Sequence, residues 1–280
     1  MEYVKMNNGL QCPVIGIGTF MFSPAQAEES VKAALEMGYE CIDTAAAYQN
    51  ERAVGRAIKS SGTARERIFL STKIWPSEYE NENAVEQTLE RLGVEYVDLL
   101  YIHQPAGNWL AGYRLLEKAY REGKAKAIGI SNFEGEYMQE IESKWEVVPQ
   151  FIQVEAHPYF AQDELRETLD HYGIRLMSWY PLGHGDTALI EEPIFKALGE
   201  KYGKSSAQII LRWHTQMGFA VIPGSKNAAH IRDNLDILDF ELSAAEMAEI
   251  AKLNKGERYY HRSDEQLAGF AAWQPTYEKA

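Results

Sequence analysis

Four side chains have the types and the placement to move a proton: Asp43, Tyr48, Lys73 and His103. Asp43 falls at the end of the apolar run that opens "CIDTAAAY", Lys73 closes "IFLSTK" and His103 closes "VDLLYIH"; Tyr48 lies a few residues beyond the first. Charged groups at the ends of buried strands are costly unless they pair or work. A free tyrosine titrates near pH ~10 and donates poorly at neutrality, but a neighbouring ammonium favours the phenolate and lowers that value. Lys73 would supply the ammonium and Asp43 would hold it charged. Tyr48 would then protonate a carbonyl oxygen as a hydride arrives, with His103 hydrogen-bonding the same oxygen. A buried Asp–Lys pair alone is more often structural. Four such residues at or near successive strand ends shift the balance towards chemistry.

The elements that must bring these residues together alternate along the chain. Short apolar runs at 15–18, 41–43, 68–72, 97–102, 127–130, 151–155, 175–179 and 219–222 are each followed by a stretch of helical spacing. Those stretches begin near residues 25, 50, 81, 109, 134, 163, 191 and 230. Runs that are continuously apolar suit parallel strands buried on both faces. Eight strand–helix units in one chain of 280 residues predict an α/β fold, a (β/α)8 barrel, as a single domain over 1–280. An open doubly wound sheet would place a Gly-rich turn after the first strand, and "GIGTFMF" offers only Gly16 and Gly18. "VKMNNGLQCPV" reads as an N-terminal hairpin turning at Asn8-Gly9, placed to plug the barrel floor. "KSSAQIILRWHTQMG" reads as an added helix before the last strand.

Bulk properties narrow the partners. With 28 Lys and Arg against 41 Asp and Glu, the net charge is −13. That argues against nucleic acid and against an anionic membrane surface, without excluding an anionic cofactor in a locally basic pocket. Cys12 and Cys41 read as small buried hydrophobes, and the seven His show no paired metal-ligand spacing, so no metal site is predicted. No signal pattern and no run of transmembrane length is evident, which points to a reduced cytoplasm. His157 reads as a structural histidine ordering the loop after the sixth strand.

The segments "GIGTF", "GYECIDTAAAYQNERAVGRAI", "STKIW", "VDLLYIHQP", "KAIGISNF", "QVEAHPY", "SWYPLG", "VIPGSKN" and "HIRDNLDILDFELS" follow one another through most of the chain. In that order they resemble the aldo-keto reductases, and in particular bacterial members of the 2,5-diketo-D-gluconate reductase type. The resemblance implies NADPH-dependent reduction of aldehydes and ketones by a monomer, with Tyr48 as general acid supported by Asp43, Lys73 and His103. It implies that Ser131, Asn132 and Gln153 hold the nicotinamide carboxamide and that Trp179 stacks on the ring. Leu182, Gly183 and His184 would follow the pyrophosphate, with Asp186 closing that loop. Ser225, Lys226, Asn227, His230, Asp233 and Asn234 would bind the 2′-phosphate and adenine. Many members carry Lys where this chain has Gly224 and Arg where it has His230, so NADPH is expected with NADH use open. Phe20, Trp75, Gln104 and Trp273 are the expected substrate pocket, less aromatic than in animal members. The ring-rich tail "ERYYHRSDEQLAGFAAWQP" would either fold over the barrel mouth or dock on the barrel side. Two rivals remain: a cofactor-binding sensor of the channel β-subunit kind, and a barrel enzyme using Lys73 as a Schiff base.

Overall fold

The computed structural model describes residues 1–279. A two-stranded antiparallel hairpin comes first: β1 (Tyr3–Lys5) pairs with β2 (Gln11–Pro13) across the Asn8-Gly9 turn, where Gly9 takes φ 87°. Eight parallel strands follow: β3 (Ile17–Gly18), β4 (Cys41–Asp43), β5 (Phe69–Ile74), β6 (Leu99–Ile102), β7 (Ile128–Ser131), β8 (Phe151–Glu155), β9 (Arg175–Trp179) and β10 (Ala220–Val221). Each pairs with its sequence neighbour. The sheet closes on itself through the segment before β3: Gly16 N donates to Val221 O at 2.8 Å and Val221 N donates to Val14 O at 2.9 Å.

Helices return the chain between strands: α1 (Pro24–Glu36), α2 (Glu51–Ser61), α3 (Ala84–Leu92), α4 (Trp109–Arg121), α5 (Glu136–Glu142) and α6 (Asp163–Tyr172). After β9 come α7 (Thr187–Ile190), α8 (Pro193–Tyr202) and the added helix α9 (Ser206–Gln216); after β10 come α10 (Ala228–Leu235), α11 (Ala244–Ala251) and α12 (Asp264–Ala272). The architecture is the expected (β/α)8 barrel with its N-terminal hairpin. α7, α11 and α12 lie outside the sequence expectation. α12 is set by local chemistry the sequence contains, a Ser263/Gln266 capping box that satisfies its first amides.

Strand alternation decides which side chains meet inside. On β5, Phe69, Ser71 and Lys73 share one face while Leu70 packs outward against the helices; on β4, Cys41 and Asp43 point in and Ile42 points out. The lower barrel is filled by Cys41, Phe69, Leu99, Tyr101, Phe151 and Met177, sealed from below by Met6 and Cys12 of the hairpin. Asp43, Ser71, Lys73 and Gln153 stand above this plug, towards the strands' C-terminal ends. Space for the Tyr101 ring comes from Gly129: a Cβ there would stand 2.4 Å from a ring carbon and 2.8 Å from Phe151 O. Gly129→Ala should therefore overpack the barrel and destabilise it by about 1–3 kcal/mol in equilibrium denaturation. An unchanged midpoint would mean the interior is slack.

Candidate active site

Asp43, Lys73 and His103 come from three adjacent parallel strands, so their side chains emerge at one end of the barrel. Lys73 is 0% exposed; its Nζ donates to Asp43 Oδ2 at 2.6 Å and to Thr44 O at 2.8 Å. Asp43 completes its shell with Ser71 Oγ at 2.7 Å and Gln153 Nε2 at 2.9 Å. Tyr48 stands on the turn after β4, with Lys73 Nζ 4.9 Å from its ring centroid. His103, the residue after β6, meets the Tyr48 ring edge-on at 5.6 Å. The turn is anchored by Asn50, fully buried, which donates to Thr19 O and Phe22 O and accepts from Thr44 Oγ1. That same knot fixes the loop carrying Phe20, whose ring lies 5.1 Å from Tyr48.

The electrostatics correct one expectation. Lys73 does not bring the Tyr48 phenol down: burial first, and the Asp43 charge second, push it well above its ordinary value. The ammonium is already neutralised by Asp43 at 2.6 Å, so the phenol meets a nearly dipolar pair rather than a bare cation. Burial lowers Lys73 below its usual value, with Asp43 opposing. His103 is pushed well below its ordinary range by burial and by Lys73, so its ring is neutral. Its Nδ1 is sealed and has no partner among the described residues, which leaves Nε2 as the nitrogen open to the cavity.

Tyr48, Asp43 and His103 line a cavity of about 820 Å³. Its wall also includes Ser131, Asn132, Gln153, Trp179, Leu182 and His184 from the expected nucleotide set, and Phe20, Trp75, Gln104 and Trp273 from the expected substrate set. Lys73 lies beneath the wall. Gly183 lies behind it, where a Cβ would meet Leu189 at 2.8 Å and the Tyr259 ring at 3.0 Å. Ser225, Lys226, Asn227, His230, Asp233 and Asn234 do not line the cavity; they follow β10 along the loop and α10, with all but Ser225 and Asn234 exposed. Asn227 caps α10 by accepting from Ala229 N at 2.8 Å. Trp75 is the pivot of the aromatic wall, edge-on to His103, Phe270 and Trp273 at 5.0, 5.3 and 5.3 Å.

The ring-rich tail takes the first of its two alternatives and folds over the barrel mouth. Residues 260, 270 and 273 line the mouth, and Trp75 Nε1 donates to Trp273 O at 3.1 Å. Farther on, Tyr277 lies under Arg91, with its ring centroid 3.9 Å from the guanidinium carbon, and Glu278 pairs with Arg56 at 2.9 Å, docking the end on the barrel side. His157 is the structural residue expected, bonded to Glu155 at 3.0 Å. Sequence reasoning missed Glu155 and Arg262. Glu155 ends a buried strand and carried the same signal as Asp43; Arg262 was hidden among the tail's rings.

The model of the aldo/keto reductase family matches residues 14–255. Over 271 residues the chain is 44% identical to the glyoxal reductase of Bacillus subtilis (strain 168), spanning 95% of this chain and 98% of that one. It is 35% identical to the methylglyoxal reductase DkgA of Escherichia coli (strain K12), over 91% of this chain and 94% of that one. A Brucella melitensis aldo/keto reductase structure overlays with TM-score 0.85 at 40% identity, over 90% and 99% of the two chains. A Bombyx mori aldo-keto reductase in complex with NADP overlays with TM-score 0.88 at 31% identity, over 95% and 96%.

Two expected outcomes follow from the buried charges. Lys73→Met leaves Asp43, 1% exposed, without its counter-charge, and should cost about 3–5 kcal/mol of stability; adding Asp43→Asn should recover much of that. Full cost in the double variant would show the pair is not what the site balances. His214, fully buried with Nε2 donating to Pro181 O at 3.0 Å, is pushed by burial down to about 3 from 6.5. Its folded value lies below its unfolded one, so the unfolded chain takes up the extra proton and stability falls as pH drops from 6.5 towards 3. His214→Gln should flatten that part of the denaturation-versus-pH curve.

Proposed function

The chain belongs to the aldo/keto reductase family, which reduces carbonyls to alcohols, and from that premise we propose an NADPH-dependent reductase in which Tyr48 delivers the proton. The observation that carries this reading is the convergence of Tyr48, neutral His103 and the buried Lys73–Asp43 pair on one cavity.

The cavity's polar groups suit a nicotinamide carboxamide, which offers two N–H donors and one acceptor. Gln153 spends its Nε2 on Asp43 and keeps Oε1 to accept; Ser131 Oγ accepts from Asn132 at 3.2 Å and keeps its own proton to donate. The half-buried indole of Trp179 offers a flat apolar wall beside them. When bound there, the reduced nicotinamide supplies the hydride. Around the exposed start of α10, Lys226 offers a positive charge and His230 a ring nitrogen for a 2′-phosphate, and neither forms an ion pair among the described residues.

The protein's own part is proton handling and exclusion of water. His103 Nε2–H donates to the substrate oxygen and fixes it against Tyr48. Tyr48 passes its proton to that oxygen as negative charge develops, and Lys73 beneath the ring stabilises the phenolate left behind. Lys73 is a poor Schiff-base nucleophile here, since its amine is sealed and spent on Asp43 and Thr44. Substrates are carbonyl compounds small enough to pass the rings of Phe20, Trp75, Phe270 and Trp273, including dicarbonyls of the kind named for the relatives. This reading takes residues 1–280 as one catalytic domain, monomeric and cytoplasmic, needing no second chain.

The test is NADPH and NADH oxidation with a panel of aldehydes and ketones that includes glyoxal and methylglyoxal. Tyr48→Phe should lose roughly 100-fold or more in kcat, the size of a general-acid contribution, while NADPH affinity stays near that of the unaltered protein. Unchanged turnover in Tyr48→Phe would remove Tyr48 as the acid.

A further inference from the structure

Between α11 and α12 the chain crosses the barrel mouth as a strap held at three points. The Glu155 carboxylate, buried at the end of β8, accepts from Tyr259 N at 2.6 Å and Tyr260 N at 3.1 Å. The Tyr259 hydroxyl donates to Asp186 at 2.5 Å, tying the strap to the loop after β9. Arg262 makes the third contact: both Nη atoms donate to Asn132 O at 3.1 Å, and Nη1 also donates to Gln104 Oε1 at 3.1 Å.

This third contact is chemically unusual. Arg262 forms no ion pair among the described residues, and the neighbouring Glu134 is bonded to Arg258 instead. A half-buried guanidinium that meets only neutral acceptors gives up water without the return a carboxylate would provide. Burial accordingly lowers its pKa. Attachment of the strap does not need it, because Glu155 and Asp186 already hold Tyr259 and Tyr260.

What Arg262 grips explains the expense. Asn132 has φ 65°, a left-handed conformation uncommon outside glycine. All of its polar groups are used: N donates to Gln153 O at 3.0 Å, Nδ2 donates to His103 O at 3.2 Å, and Oδ1 accepts from Trp179 Nε1 at 3.1 Å. One residue thus links the ends of four consecutive barrel strands, and the fork of Arg262 fixes the plane of its carbonyl.

We propose that Arg262 is a positioning residue that acts through Asn132, so that docking of the C-terminal strap sets the backbone behind His103 and the indole of Trp179. The proposal rests on the reductase reading above. It makes the strap part of the reducing centre's geometry rather than only a cover over the substrate pocket.

The experiment compares Arg262→Met and Arg262→Lys with the unaltered full chain. NADPH dissociation constants are read from tryptophan quenching, kcat and KM from aldehyde reduction, and Tm from thermal unfolding. Arg262→Met should weaken NADPH binding and lower kcat by roughly 10-fold each, the scale of a lost charge-assisted hydrogen bond, with a smaller change in aldehyde KM. Arg262→Lys keeps one charged donor and should recover a good part of both. A fall in Tm alone, with NADPH affinity and kcat unchanged in Arg262→Met, would overturn the proposal and leave Arg262 a strut. If Arg262→Met does not fold, Arg262→Gln, which keeps a neutral donor but no charge, decides: NADPH affinity and kcat equal to those of the unaltered chain overturn the proposal. An unaltered chain that binds NADPH but reduces no carbonyl removes the reductase reading while the affinities still decide Arg262. An unaltered chain that binds no NADPH overturns both.

Discussion

The centre of this molecule is organised around one interaction, the ion pair of Lys73 and Asp43 inside the barrel. An ammonium with no exposed surface must be compensated on the spot, and the parallel register supplies the compensation. Gly18, Asp43 and Ser71 are Cα partners on adjacent strands, so Ser71 reaches the carboxylate. Gln153 comes across from β8 to satisfy the same oxygen. Replacing such a pair with well-packed apolar residues is often neutral or stabilising, so the pair is poor evidence for a folding role. Its place is directly beneath Tyr48, at the boundary between an apolar plug and a solvent-reaching cavity, where the proposed acid stands.

Much of this was legible in the residues because the barrel obeys two simple periods. Alternating burial put Cys41 and Asp43 on one face, and continuously apolar runs marked all eight barrel strands. α4 and α6 begin at residues 109 and 163, where the sequence reading starts them, since each is a strongly amphipathic stretch with a clear onset. Other features were hidden for physical reasons. α7 is a four-residue turn organised by the Asp186 cap, too short to show a period. α12 has no strong apolar stripe, because it lies across the barrel mouth rather than against the barrel core. The direction of the Tyr48 shift was hidden as well. It is set first by how deeply the phenol is buried and then by the Asp43 charge beside it, and spacing along a chain contains neither depth nor distance.

The path of the tail illustrates a further limit. A terminal segment rich in rings must cover apolar surface somewhere, and composition alone left mouth and barrel side as rivals. The ring-rich tail takes the mouth, and the residues beyond it dock on the barrel side. Trp273 and Phe270 extend the Trp75 wall, while Tyr277 and Glu278 meet the guanidinium groups of Arg91 and Arg56 on α3 and α2. The cavity mouth and the end of the chain are therefore joined by one run of contacts that no single motif reveals.

A phenol held above its ordinary pKa looks at first like a poor acid, yet the arrangement is coherent. On the proposed mechanism, hydride arrival turns the substrate oxygen into an alkoxide, about as basic as hydroxide, whose conjugate water has a pKa of about 15.7. Transfer from Tyr48 to such an oxygen is favourable even from a raised phenol, so a lower resting value is not required. The resting site needs a tyrosine that keeps its proton across neutral pH, and burial with the nearby Asp43 charge secures that. His103 is displaced in the opposite sense and stays neutral, so it contributes a hydrogen bond and not a competing proton. With both groups moved away from neutrality, the division of labour is fixed before substrate arrives.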